Sequence, residues 1–495
     1  MSSSKAVVEL KFAPDEYLCT WHIQALDGTT LHLPGSIEVR PDRSPRGVIH
    51  GEVPLESLNG AITLPQYRRY KVLKLTLANG GNGVVLDAHI DWMPGQGFVI
   101  GAAAILAQGY GLFMREESVE AAGHDDVQLY GAAQAQVGAL DALMGVAPIG
   151  EKTDPRKAFA DGKLTWTSVT NPEARLTWGD EEGNSFTAWY PSKINAADYY
   201  NVNIRFAPLI EISFEDHLSL QDIIDRWIDP IRGIASIATG RSQPVHTLRL
   251  RQPKEEGIGP TTWAQVFGTE LTQEPYESSA DRVRREGSVI LCGADGISLL
   301  DLVRAWWRLE AEQHPVIDTY AGMLHVKDSH PRSRFLLLIQ SLEGMHGHET
   351  RDAYEKQKTD HLDKREKLIA AVDEHLSGRQ KRFLKKALSK EPARSLSDAL
   401  KAAFDRLPPE FTQTRETLEK SALVSNVVAE CNSKVEPLDA LRIARNGLAH
   451  GTRGYDPDEL HEVNEILDRV VRAHALRLLG CPPGVLSRLA AASGR

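Results

Sequence analysis

The chain runs to 495 residues, 42% of them apolar and 25% charged, the profile of a globular protein with two or three domains. No run reaches the roughly 18 apolar residues of a membrane span, and the opening Met-Ser-Ser-Ser-Lys lacks the apolar core of a secretion signal. The net charge of −10 is uneven: residues 1–300 hold 26 basic and 38 acidic side chains, which excludes a broad nucleic-acid platform there, while residues 301–480 hold 29 of each.

Residues 1 to about 215 read as strands and turns. Val7 to Phe12 and Lys71 to Leu77 alternate apolar and polar residues in the two-residue rhythm of a half-buried strand. Asp27-Gly28, Pro34-Gly35, Asn79 to Gly83 and Glu182-Gly183-Asn184 read as turns. Gly80, Gly81 and Gly83 do not form a phosphate loop, since no Lys-Ser/Thr follows and no helical rhythm starts there. Val202 to Phe214 predicts a pair of strands bent at Pro208.

One long helix is expected near 219–240. Ser219 suits its N-cap, Ile223, Ile224, Trp227, Ile228, Ile231 and Ile234 follow at helical spacing, and Pro230 should kink it. Strand-like pieces return at Val245 to Leu250 and Ser288 to Cys292. From Ile297 the rhythm is helical, with helices predicted near 297–313, 331–348, 351–375, 379–389, 395–406, 411–431, 436–450 and 457–479, punctuated by prolines. The fold class is therefore α+β and multidomain: a β-rich region over 1–295, an all-α bundle over 296–480, and a short tail over 481–495. Cys19, Cys292, Cys431 and Cys481 are widely spaced with no CxxC pair, which argues against a disulfide framework and places the chain in a reducing cytoplasm.

Chemistry concentrates at Arg445-Asn446-Gly447-Leu448-Ala449-His450, followed by Gly451. An imidazole exchanges a proton near neutral pH, and a guanidinium holds a phosphate and balances its growing charge. Arg241 to His246 and Arg308 to His314 repeat the bare spacing, but the first contains Pro244 and the second runs into Pro315. The predicted helix has Pro437 in its first turn, Asp439 at its positive end and Gly451 just past its close. Leu438, Leu441, Ala444 and Leu448 form its buried stripe, and Asn446 and His450 share another face. At about 100° per residue, Arg445 lies roughly 140° around from His450, so one straight helix does not aim both at one atom. Arg445 reaching round, a loosening at Gly447, or a second copy across a two-fold axis would each resolve this. A His and an Arg near a helix end also serve simply to satisfy its last carbonyls.

The segment resembles the Arg-Asn-x-x-x-His signature of HEPN domains. Arg334 to His346, and Leu302 through Trp306-Trp307 with Pro315 downstream, look more specifically like the ApeA-like HEPN group. Pro230 to Gly240 resembles the helix closing the N-terminal region of that group. The resemblance covers about 200 to 480 and implies an anti-phage defence protein: a β-rich sensor or regulatory half that reads a phage-derived trigger, and a homodimeric, metal-independent endoribonuclease that cleaves tRNA or other RNA. Carried over, Arg445 and His450 are the catalytic pair and Asn446 orients them. No cofactor or metal is implied, and the Gly447 departure from good helix formers leaves the local geometry open. The alternative is a non-catalytic HEPN dimerisation or interaction protein in a defence or toxin-antitoxin system.

Weaker features surround this site. Glu343 is read as a further candidate catalytic residue, a polar group facing the cleft, or as a solvated surface residue. Glu343 and His346 share a helix face near His348 and Glu349, yet lack a third metal ligand at proper spacing. Trp306 and Trp307 read as a core anchor and an interface residue. Arg379, Lys381, Arg382, Lys385 and Lys386 form a basic run, a solvated helix face or an RNA-backbone contact.

Overall fold

The computed structural model describes residues 6–492 apart from 26–27, 51–55, 59–60, 64–68, 93–102, 108–109, 115–127, 153–167, 199–200, 253–262, 326–329, 373–374, 393–395 and 433. It shows an α+β chain, with a large antiparallel sheet in the first half and helices in the second. The chain divides into two compact units, residues 1–239 with 243–303, and 240–242 with 304–495. The expected boundary at 295 precedes the helix Leu299–Ala311, within which the division falls. Among the described residues no helix is long and apolar enough to cross a membrane.

In the first unit, six strands of the 13-stranded sheet close on themselves. Asn82–Trp92 pairs Arg69–Leu77, then Asp15–Gln24, Thr30–Val39, Arg46–Ile49 and Ala103–Ala107 follow, and Ala103–Ala107 returns to Asn82–Trp92. Trp21, Ile23, Ile37, Ile49, Leu73 and Leu75 are among the side chains filling this barrel. Lys71 to Leu77 forms a strand, as its alternation predicts. Pro34-Gly35 does not form a turn: it lies mid-strand, paired with Thr20 and Cys19. The glycine is required because a Cβ there would meet the Val48 carbonyl oxygen at 2.1 Å and Trp21 Nε1 at 2.6 Å. Through that gap the Trp21 indole donates to Val48 O at 3.1 Å. Val7 to Phe12 is likewise not a strand. Its Phe12 amide donates to Gln265 Oε1 at 3.2 Å and its carbonyl accepts from Gln265 Nε2 at 3.0 Å, so a side chain replaces the ladder.

The open part of the sheet continues through Gly111–Met114, Trp263–Phe267, Val245–Arg251, Leu129–Val137, Leu209–Ser219, Ser185–Trp189 and Leu176–Gly179. Asn201–Phe206 and Leu209–Ser219 are the two strands expected around Pro208. The helix after Ser219 runs to Thr239, with a π turn over Ile224–Ile228 just ahead of Pro230. Ser219 caps it by accepting from the Asp222 amide at 3.1 Å. Trp227 anchors the helix between Phe214 and Phe186, with centroids at 5.7 and 6.4 Å. Ser288 to Cys292, expected as strand-like, is irregular up to Leu291, with the Val289 amide donating to Ala238 O at 2.9 Å, and Cys292 opens the short helix Cys292–Asp295.

The second unit is helical. Pro331–Glu349 packs against Leu396–Asp405, Pro437–Ala449 and Pro457–Leu478. Its Phe335, Leu338, Ile339, Leu342 and Met345 are buried, each contributing about 1.5–3 kcal/mol of transfer free energy. The helix expected over 411–431 is two, Thr412–Lys420 and Ala422–Glu430, because Ser421 leaves helical geometry and its hydroxyl donates to Leu418 O at 2.8 Å. Where only a short tail is expected after Cys481, Pro483–Ala491 forms a helix burying Val485, Leu486 and Leu489. Trp306 is buried, as a core anchor should be.

Candidate functional site

Arg445, Asn446 and His450 lie on Pro437–Ala449 and its C-cap. Pro437 occupies the first turn, and Asp439 is held below the ordinary carboxyl range by a hydrogen bond from Ser397, with Arg442 adding to it. That bond fixes the helix start to Leu396–Asp405. Leu438, Leu441, Ala444 and Leu448 form the buried stripe. At the other end His450 is exposed, its amide donating to Asn446 O at 3.0 Å, and Gly451 follows with φ of 65°, the left-handed closure expected there.

Gly447 is a contact position. A Cβ on it would meet Arg453 Cβ at 3.0 Å and Tyr455 Oη at 3.4 Å. The chain after His450 therefore folds back onto the helix, and the Thr452 and Arg453 amides both reach Gly447 O, at 3.0 and 3.2 Å. Arg453 stacks on Tyr455 and pairs with Glu430, which ties this return loop to Ala422–Glu430. The helix stays regular through the glycine, so no loosening there turns Arg445 toward His450.

Arg445 is committed sideways. Its Nη1 donates to Asn446 Oδ1 at 3.1 Å and its Nη2 to Glu343 Oε2 at 3.2 Å. The structure thus brings together three of the four sequence-selected residues, Arg445, Asn446 and Glu343, and leaves His450 at the helix end. Glu343 borders an open cleft of about 470 Å³, lined also by Gln340, His346, Tyr354, Gln357 and Asp398. Within it His346 is held below the usual histidine range, first by burial and then by the charge of Arg406, and its shielded Nδ1 lacks a partner. His346 and Glu343 therefore share the cleft, as their spacing of three suggests. Among the described residues no three His, Cys, Asp or Glu side chains are grouped to hold a metal ion.

One neighbour of the candidate site was beyond sequence reasoning. Arg332, in the first turn of Pro331–Glu349, donates to the Leu448 carbonyl, adding a guanidinium to the end of the motif helix. It sits 116 residues away in sequence, so no local signal marks it. The other two Arg-to-His spacings end in buried rings. His246 packs against Tyr276 at 4.9 Å, His314 packs against His348 at 4.6 Å, and burial drops both imidazoles to about 4.

No protein-family model, curated protein or solved structure matches this chain.

Proposed function

We propose that the chain is a metal-independent endoribonuclease of the HEPN type, acting on tRNA or other cellular RNA in anti-phage defence in the cytoplasm. The observation that carries this reading is the Arg445–Asn446–Glu343 hydrogen-bonded group beside an exposed His450 at the helix end. A guanidinium oriented by an amide on one side and a carboxylate on the other is set to receive a phosphate. An exposed imidazole, open to an approaching strand, suits proton transfer.

In the proposed reaction two copies pair about a two-fold axis near the motif helix, because Arg445 and His450 point about 140° apart on one helix. One His450 removes the proton from the RNA 2′-hydroxyl, whose oxygen then bonds to the adjacent phosphorus. The P–O5′ bond breaks, and the second copy's His450 protonates the leaving 5′-oxygen. Both arginines balance the charge of the pentavalent phosphate. The products are a 2′,3′-cyclic phosphate and a 5′-hydroxyl, and DNA, lacking the attacking hydroxyl, is resistant.

The test is purified wild type against His450→Ala on total tRNA, with EDTA throughout. Cleavage by wild type alone, leaving 2′,3′-cyclic ends, supports the reading. Equal cleavage by both, or dependence on added metal, overturns it. The interaction-scaffold reading draws on the same ion pair, since Glu343 already neutralises Arg445. It requires that overproduced wild type and His450→Ala affect bacterial growth alike, and that phage-infected lysate elicit no cleavage.

A further inference from the structure

The helix Gly378–Ala387 buries none of its residues. Its Lys381, Leu384 and Leu388 positions are half-buried at steps of three and four, giving it one seated stripe. The opposite face presents Arg379, Arg382, Phe383 and Lys386, all exposed, Lys385 flanks the stripe, and the helix contains no acidic residue. Phe383 is 75% exposed, the most exposed of the large apolar side chains described. On the helix surface Arg379 lies four residues before it and Lys386 three after, so cations flank the ring. A capping box at Ser377 and Gln380 fixes the helix start, so the display is ordered.

The helix is also tethered. Arg365 donates to Lys385 O at 2.7 Å and Leu388 O at 3.1 Å, His361 is bonded to Ser389 O at 3.1 Å, and Lys358 pairs with Glu391 at 3.3 Å. These steps run the chain antiparallel to Arg351–Val372, back toward Tyr354 and Gln357, which line the Glu343 cleft. From Arg365 to Gln357 is eight residues of helix, about 12 Å.

We infer that this outer face is a docking surface for single-stranded RNA, taking phosphates on Arg379, Arg382 and Lys386 and a base on the Phe383 ring. Cations interleaved with an aromatic face bind single strands without sequence preference, and an exposed ring among arginines has the geometry stacking needs. A membrane surface is the poorer fit. A lipid-bound helix needs a wide apolar face, and here the exposed face carries one large apolar side chain among three cations. The choice of RNA rests on the ribonuclease reading, and the surface would deliver substrate to it.

The test is binding of a labelled 2′-O-methyl RNA single strand to full-length His450→Ala protein, by fluorescence anisotropy across a salt series. Neither reagent supports cleavage, so binding is read apart from catalysis. Binding that weakens with salt is expected. Arg379→Ala with Lys386→Ala should lower the salt slope by about 1.4, since each single-strand phosphate contact contributes about 0.7. Phe383→Ala should weaken binding about 5- to 100-fold at fixed salt while leaving that slope unchanged. Circular dichroism of each variant, expected to match wild type because the substituted residues are exposed, checks that the fold is intact. Equal binding by all proteins, no binding at low salt, or capture by phosphatidylserine vesicles that RNA does not compete away would each overturn the inference. Intact RNA binding with no tRNA cleavage by wild type would sink the catalytic reading and leave this surface standing.

Discussion

Glu343 and Arg445 meet at 3.2 Å with side chains 31% and 37% exposed, so their ion pair is solvent-screened and contributes at most about 1 kcal/mol to stability. Its effect belongs to orientation. Under the ribonuclease proposal, Glu343→Gln, which keeps the shape and removes the charge, should lower RNA cleavage about tenfold through kcat, with melting temperature almost unchanged; an unaltered kcat would show that Arg445 is positioned by Asn446 alone. Gly447 makes a second residue-scale point. On an isolated helix Gly→Ala gains up to about 1 kcal/mol, but here the new methyl presses on Arg453 Cβ at 3.0 Å. Gly447→Ala should therefore give no rise in melting temperature, measured by calorimetry, and a clear rise would mean the return loop yields freely. Residue types and spacing made Arg445, Asn446 and His450 legible in the sequence. Arg332, Arg453 and Tyr455 were not, because what defines them is contact across the fold rather than pattern along the chain.

Elements followed the sequence where periodicity and backbone demands agree. Lys71 to Leu77 alternates and pairs on both sides, whereas Val7 to Phe12 alternates equally well but finds Gln265 instead of a neighbouring strand. Pro34-Gly35 has the composition of a turn, and the Val48 carbonyl and Trp21 indole crossing it explain a mid-strand glycine. Gly35→Ala should cost about 3 kcal/mol or more, since the clash is with a backbone carbonyl that cannot rotate away. Chemical denaturation reads this directly, and near-wild-type stability would refute the packing argument. Ser421 divides a stretch whose helical rhythm runs through it unbroken, so hydrophobic spacing alone could not mark the break.

Across the molecule, burial sets the acid response. His246, His314 and His474 are held neutral down to about pH 4, chiefly by desolvation, whereas in the unfolded chain they protonate near 6.5. As pH falls below about 6.5 the unfolded state binds protons first, so stability drops toward pH 4. Asp141 and Asp468 act oppositely: burial raises their carboxyls, so the folded state holds those protons to higher pH. His474→Gln, which can still donate to Ala403 O where His474 Nε2 sits at 2.9 Å, should flatten the fall in melting temperature between pH 6.5 and 4. An unchanged slope would place the acid sensitivity elsewhere. The α+β class was readable from the switch in periodicity, but the closure of the barrel was not, since it depends on pairing between strands far apart in sequence. Asn82–Trp92 serves both that closure and the open sheet. Residues 82–85 pair with Gly111–Met114 and residues 88–92 with Ala103–Ala107, with Asp87 at a φ of 50° where the partner changes. The open sheet and the barrel thus share one strand, and neither can melt without stripping it. In hydrogen-deuterium exchange the paired amides of this strand should be among the slowest of the first unit and should exchange together, as one cooperative folding unit rather than two.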